Sequence, residues 1–192
     1  TGTIADVLLL LEHPPVYTLG RNADPSLRPK RATDVPIVET TRGGQITYHG
    51  PGQLVGYLIV DLKTRRCDLR GFFGDIENAL IETVGAFGIT SRRDADYPGV
   101  WIGNQKIAAI GIAVTRWVTM HGLALNVRND MAPFDAIIPC GLVDRGVTSM
   151  ARLGVKATID EVQPVLTAAI ARRLQRSGEN ITLDALNAMV RA

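Results

Sequence analysis

Cys140 stands in Phe134-Asp135-Ala136-Ile137-Ile138-Pro139-Cys140-Gly141, where Pro139 fixes the preceding turn and Gly141 leaves the sulfur open to a substrate. A thiol in that frame suits nucleophilic attack through its thiolate, although a small buried thiol would read the same way in isolation. Cys67, between Arg66 and Asp68, has no comparable frame and reads as inert. Lys106 opens the apolar run Ile107-Ala108-Ala109-Ile110-Gly111-Ile112. An amine beside apolar surface is a candidate for proton exchange near neutrality, and an ordinary lysine at a strand edge is the alternative.

The histidines are His13, His49 and His121. With two well-separated cysteines they give no zinc-type ligand spacing, so neither a metal nor another cofactor is expected. His13 precedes Pro14-Pro15 and reads as a turn residue, and His121, before Gly122, as one that orients backbone. His49 follows the Gly-rich stretch Arg42-Gly43-Gly44-Gln45-Ile46-Thr47-Tyr48, whose backbone N–H groups could approach a ligand carbonyl or phosphate, so functional and structural roles both stay open for it. That stretch lacks the spacing of either Gly-rich nucleotide fingerprint.

These residues need a scaffold, and 192 residues suffice for one compact domain with a real core. The apolar fraction of 46% and charged fraction of 21% are ordinary globular values. A net charge of +2 lacks the footprint of a nucleic-acid binder. The short basic clusters Lys30-Arg31, Arg65-Arg66 and Arg92-Arg93 read as solvated surface or contacts for an acidic partner. Two cysteines are a poor basis for a secreted scaffold, and neither a membrane span nor a signal-peptide pattern is visible, so a soluble protein of the reducing cytoplasm is expected.

Asp6 to Leu11 is a continuous apolar run ended by Pro14-Pro15, the pattern of a strand buried on both faces. Residues 22 to 36 read as a loop, and Ile37 to Thr41 and Gln53 to Leu62 as strands. From Asp68 to Phe87 the apolar spacing of three and four predicts an amphipathic helix, with Gly88 as its stop. Gly99 to Ile102, Lys106 to Thr115 and Val118 to Val127 read as an antiparallel meander, with a turn at Gly103-Asn104-Gln105. Thr158-Ile159-Asp160-Glu161 is a capping box before a helix carrying Val162, Leu166, Ala169, Ile170 and Leu174, and a weaker helix starts near Thr182. The sum is a single α+β domain over residues 1–192 with a mixed or antiparallel sheet and packing helices.

Together the segments resemble the lipoyl(octanoyl) transferase family of lipoate biosynthesis. The resemblance lies in Leu8 to Arg21 (with Glu12-His13-Pro14-Pro15 and Leu19-Gly20-Arg21), Arg42-Gly43-Gly44, Thr47 to Gln53, Lys106 to Gly111, His121 to Val127, Pro139-Cys140-Gly141 and Val147-Thr148-Ser149. Departing from the family pattern, the sequence opens at Thr1, so one N-terminal family element is expected to be lacking, and the C-terminal tail is too generic to match. The resemblance implies the fold of biotin and lipoate protein ligases and octanoyl-acyl carrier protein as donor. It implies as acceptors the lysines of lipoyl domains, in 2-oxoacid dehydrogenase subunits and the glycine-cleavage carrier protein. It further implies Cys140 as nucleophile and Lys106 as its acid/base partner. Arg42, Gly43, Gly44, Gln45, Ile46, Thr47, Tyr48, His49, Ala109, Ile110, Gly111, Gly122, Leu123 and Ala124 would line the acyl site. A thioester donor is already activated, so transfer to a thiol and then an amine needs no nucleotide. An ATP-dependent lipoate or biotin ligase and a non-catalytic acyl-binding module are the alternatives, and a monomer is the default assembly.

Overall fold

The computed structural model describes residues 5–24, 29, 34–137 and 145–191. The strands are β1 (Val7–Leu11), β2 (Val16–Leu19), β3 (Ile37–Glu39), β4 (Ile46–His49), β5 (Gln53–Ile59), β6 (Arg92–Arg93), β7 (Val100–Ile102), β8 (Gln105–Thr115), β9 (Val118–Asn126) and β10 (Gly146–Val147). The α-helices are α1 (Leu69–Ala86), α2 (Ala132–Asp135), α3 (Ile159–Leu174) and α4 (Leu183–Arg191). The larger sheet has the order β1-β5-β9-β8-β7-β6, all neighbours antiparallel, and β10 pairs with β8 in parallel. A smaller sheet, β3-β2-β4, pairs β2 with β3 in parallel and with β4 antiparallel.

One face of the large sheet is covered by α1 and α3. Phe72, Ile76, Leu80 and Val84 from α1 meet Val162, Leu166, Ile170 and Leu174 from α3 over Leu54, Leu58, Ile112, Leu123 and Leu125. The expected capping box of Thr158 and Glu161 opens α3, and the structure adds an N-cap on α1, where Asp68 accepts from Gly71 N–H at 2.8 Å. Tyr17, Leu19, Ile46 and Tyr48 of the small sheet pack with Met131, Phe134 and Ile137 in a second cluster.

Three expectations need correction. Among the described residues β1 is an edge strand, paired with β5 alone and half-buried along its length, rather than buried on both faces. A short apolar run does not encode which strands flank it. β2 and β4 were not anticipated, and they create a second sheet. Both are four-residue strands with strict in/out alternation, set between Pro and Gly punctuation. Ile37–Glu39 is a strand as expected, but shorter and exposed.

Two irregularities shape the large sheet. Val100 pairs with Ala108 and Trp101 with Lys106, so Ile107 is an extra residue in β8, a bulge. His121 in β9 has φ of 64°, and the β5–β9 pairing ends beside it, at Tyr57 opposite Gly122. Beyond that point Thr119 repairs the ladder: its hydroxyl donates to Leu58 O at 2.6 Å and accepts from Val60 N at 3.0 Å. Thr119 is fully buried. Thr119→Val keeps the shape and strands two buried backbone groups, so a loss of about 2 kcal/mol or more in urea unfolding is expected, and a variant as stable as wild type would contradict this account.

Candidate active site

On the face of the large sheet away from the helices, register aligns small side chains into a lane. Gly111 lies opposite Gly122, and Gly122 opposite Tyr57; in the next row Ala109 faces Ala124, and Ala124 faces Val55. The third row joins Gln53 to Asn126. Ile110 and Leu123 alternate to the other face and pack in the helix-covered core, so their side chains do not line the lane. Ala109, Gly111, Gly122 and Ala124 form its floor.

The Arg42-Gly43-Gly44 loop lies directly on Gly111. A Cβ at Gly111 would sit 3.2 Å from both Arg42 Cδ and Gly43 O, and Gly43 N–H donates to Ile112 O at 3.2 Å. Arg42 holds the loop to β2 by donating through Nη2 to Thr18 O at 2.5 Å and Oγ1 at 2.8 Å. Arg21 N–H donates to Arg42 O at 2.9 Å, and a Cβ at Gly20 would collide with Gly44 O, so the chain at Gly20 packs directly against the loop. Gln45 accepts from Asp24 N–H at 2.8 Å, Thr47 lies opposite Thr18, and Ile46 and Tyr48 turn into the small-sheet cluster.

All three histidines gather at this face. His13 lies 5.9 Å from both the His49 and Tyr57 rings, its Nε2 is 2.6 Å from Tyr57 Oη, and the Tyr57 ring is 6.4 Å from His121. His121 Nε2 pairs with Thr41 Oγ1 at 2.9 Å. Gln53 donates from Nε2 to Asn126 Oδ1 at 2.8 Å and Tyr48 O at 3.3 Å, so its amide oxygen faces His49 Nδ1, 2.7 Å away. That network assigns the His49 proton to Nδ1 and leaves Nε2 with its lone pair. Burial, with Arg42 and His13 adding to it against the Gln53 bond, pushes the His49 pKa down to about 4. Burial lowers His13, and burial with Arg42 lowers His121. The cluster is thus neutral near pH 7, and among the described residues no group of three His, Cys, Asp or Glu is arranged to hold a metal. The turn reading of His13 and the backbone reading of His121 missed this convergence. Tyr57 was not singled out, although alternation from Gln53 through Val55 places it on the same face.

Lys106 belongs to the lane's face because of the Ile107 bulge. Ile107 and Ala108 both enter the core, which leaves Lys106 on the side of Ala109. Its Nζ donates to Pro98 O at 3.0 Å and lies 4.7 Å from the centre of the Trp101 ring. Lys106 is only 7% exposed. The Arg145 guanidinium also stacks on Trp101, at 4.9 Å, and on Tyr97, at 4.6 Å. Beside Asp94, Arg145 holds that carboxyl well below the usual range. Val147 pairs with Lys106, and Thr148 N–H donates to Lys106 O at 3.0 Å. Cys140 lies outside the described residues. Cys67 is remote from this face in its bonding: it follows a 3-10 turn, with φ of 56° and its N–H on Leu62 O.

Residues 1–171 match the model of the lipoyl protein ligase A/B catalytic domain, and the chain belongs to that family. Among its relatives, the octanoyltransferase of Gloeobacter violaceus is 51% identical over 167 residues, covering 87% of this chain and 75% of that protein. The octanoyltransferase of Synechococcus elongatus is 42% identical over 190 residues, covering 95% and 79%. The fold is shared with the bi-partite lipoate protein ligase of Thermoplasma acidophilum at a TM-score of 0.73 and 16% identity, over 98% of this chain and 80% of that one. It is shared more distantly with the biotin protein ligase of Aquifex aeolicus, at a TM-score of 0.52 and 17% identity over 65% and 53%.

A chain that binds a proton near pH 6.5 when unfolded but only near pH 4 when folded keeps the full contribution above 6.5 and loses it as pH falls toward 4. For His49 that contribution is on the order of 3 kcal/mol. Urea unfolding at stepped pH should show wild type weakening across this window and His49→Gln weakening less. Equal slopes would contradict a neutral, buried His49.

Proposed function

We propose that this protein is an octanoyltransferase of protein lipoylation: it moves an octanoyl group from a carrier-protein thioester, through Cys140, to the lysine of a lipoyl domain. The observation that carries the reading is the lane of Ala109, Gly111, Gly122 and Ala124 with the Lys106 ammonium on the same face. An alkyl chain needs a floor free of branched side chains, and thioester exchange needs a cation that can also give up a proton. The relatives that the chain matches over most of its length are octanoyltransferases.

The Cys140 thiolate attacks the donor carbonyl, and the tetrahedral intermediate expels the carrier thiolate, which takes a proton from Lys106. The neutral acceptor amine then attacks the acyl-enzyme. Lys106 receives the amine's proton, and the Cys140 thiolate leaves as the amide forms. Gly43 N–H is committed to Ile112 O, which removes it as an oxyanion donor. The Arg42-Gly43-Gly44 loop, seated on Gly111, serves instead as the wall that closes that end of the lane.

The donor in this reading is octanoyl-acyl carrier protein. The acceptors are lipoyl domains of 2-oxoacid dehydrogenase subunits and the glycine-cleavage carrier protein. The chain acts as a monomer in the cytoplasm, with residues 1–192 as one catalytic domain. No helix of the described residues is long and apolar enough to cross a membrane.

The test is intact-mass analysis after mixing with an octanoyl thioester and no nucleotide. One octanoyl group should appear on Cys140, and Cys140→Ser should remain unlabelled. An adduct on Cys67, or a requirement for ATP, would overturn the reading. Lys106→Met should slow acylation by about 10²- to 10⁴-fold, the usual range for a lost proton-transfer group, and should raise the pH midpoint of Cys140 alkylation by iodoacetamide. An unmoved midpoint would remove Lys106 from the dyad.

A further inference from the structure

We propose that Glu77 is a positioning residue for Lys106, acting through a single peptide unit, an inference that rests on the Cys140–Lys106 dyad proposed above. Glu77 is a carboxylate on the buried side of α1, 8% exposed among Phe72, Ile76 and Leu80. A carboxylate in such a place is costly unless something receives its charge. What receives it is the backbone N–H of Gly99, 2.9 Å from Glu77 Oε1. Arg93 is farther away, at 3.9 Å from Oε2, and half exposed.

The same peptide bond carries Pro98 O, the acceptor for Lys106 Nζ at 3.0 Å. The bond is trans, so its N–H and C=O point in opposite directions. Glu77 therefore binds one end of the peptide dipole and Lys106 the other, each with the favourable sign. An N–H held by an anion leaves its carbonyl a better acceptor, and the two hydrogen bonds strengthen each other.

Position 99 makes such a hold necessary. Gly99 has φ of 127°, and a Cβ there would lie 2.5 Å from Ala108 O, so the residue must be glycine. A glycine at that junction leaves the Pro98–Gly99 peptide little intrinsic resistance to rotation. If the plane turned, Pro98 O would leave Lys106. Glu77 fixes the plane from the helix side, and α1 is itself fixed by its packing on α3 and the sheet.

The experiment compares Glu77→Gln, which keeps the reach and an acceptor oxygen, with Glu77→Asp, which keeps the charge and loses the reach. Both are made with and without Lys106→Met. Octanoyl transfer and the pH dependence of Cys140 alkylation are measured in the full chain. Gln should stay within about threefold of wild-type kcat, whereas Asp should lower kcat about tenfold with KM for the donor unchanged, the equivalent of one charge-assisted hydrogen bond. Asp should also move the alkylation midpoint toward that of Lys106→Met. On the Lys106→Met background, Asp should have no further effect.

An equal loss from Asp on both backgrounds would mean that Glu77 supports the fold rather than Lys106, and would overturn the proposal. So would wild-type activity and an unmoved midpoint in Asp, since the bond from Glu77 to Gly99 N–H would then not be needed. Failure of the dyad itself would appear separately, as Lys106→Met leaving kcat and the midpoint unmoved, and it would take this proposal with it.

Discussion

Ile107 has no partner residue in the register between β7 and β8, and the face on which Lys106 appears depends on it. Under strict alternation Lys106 would point with Ala108, Ile110 and Ile112 toward the helix-covered core, where an ammonium would lose its hydration among aliphatic side chains. The extra residue shifts the phase once. Ile107 and Ala108 are both fully buried beneath the helices, and Lys106 is returned to the face of Ala109 and Gly111. Trp101, Pro98 O and the strand pairing with Val147 then surround a lysine that the rest of the sheet would have excluded.

A chain of hydrogen bonds ties that lysine's strand to the histidine side of the lane. His49 donates to Gln53, Gln53 to Asn126, Asn126 to Thr148 O, and Thr148 N–H to Lys106 O. The first three of these residues are polar and largely removed from water, so the network is stable only when each member is satisfied, and this favours one geometry for the whole face. Neutral imidazoles follow from the same burial. They present an uncharged wall beside a floor of glycine and alanine, which suits an alkyl chain better than a charged wall would.

The parts of this arrangement that the sequence makes legible are those with long periods or strong punctuation. α1 and α3 announce themselves by apolar spacing, α1 with the Gly88 stop and α3 with the Thr158–Glu161 box. The meander β7-β8-β9 follows from its β-rich runs and the Gly103 turn. β2 and β4 were missed because four alternating residues are a weak signal beside Pro14-Pro15 and Gly43-Gly44. The family resemblance named the stretches Ala109 to Gly111 and Gly122 to Ala124, but a contiguous triplet in a strand cannot all face one way. Alternation sends Ile110 and Leu123 to the core. The convergence of His13, His49 and His121 with Tyr57 depends on long-range pairing, and Glu77 looks like any helix carboxylate until Gly99 is placed against it.

The acyl chain is proposed to run over Ala109 and Ala124 toward the loop that closes the lane on Gly111. Ala109 tests it most directly, because it is partly exposed and its side chain shares a row with Ala124. The measurement is kcat/KM for carrier thioesters from butyryl to dodecanoyl, in wild type and Ala109→Leu. A floor at this position predicts that the variant's optimum moves to shorter donors, with octanoyl losing more than tenfold against butyryl as the buried methylenes, worth about 0.8 kcal/mol each, lose their place. An unchanged chain-length profile, or an equal loss for every donor, would contradict it.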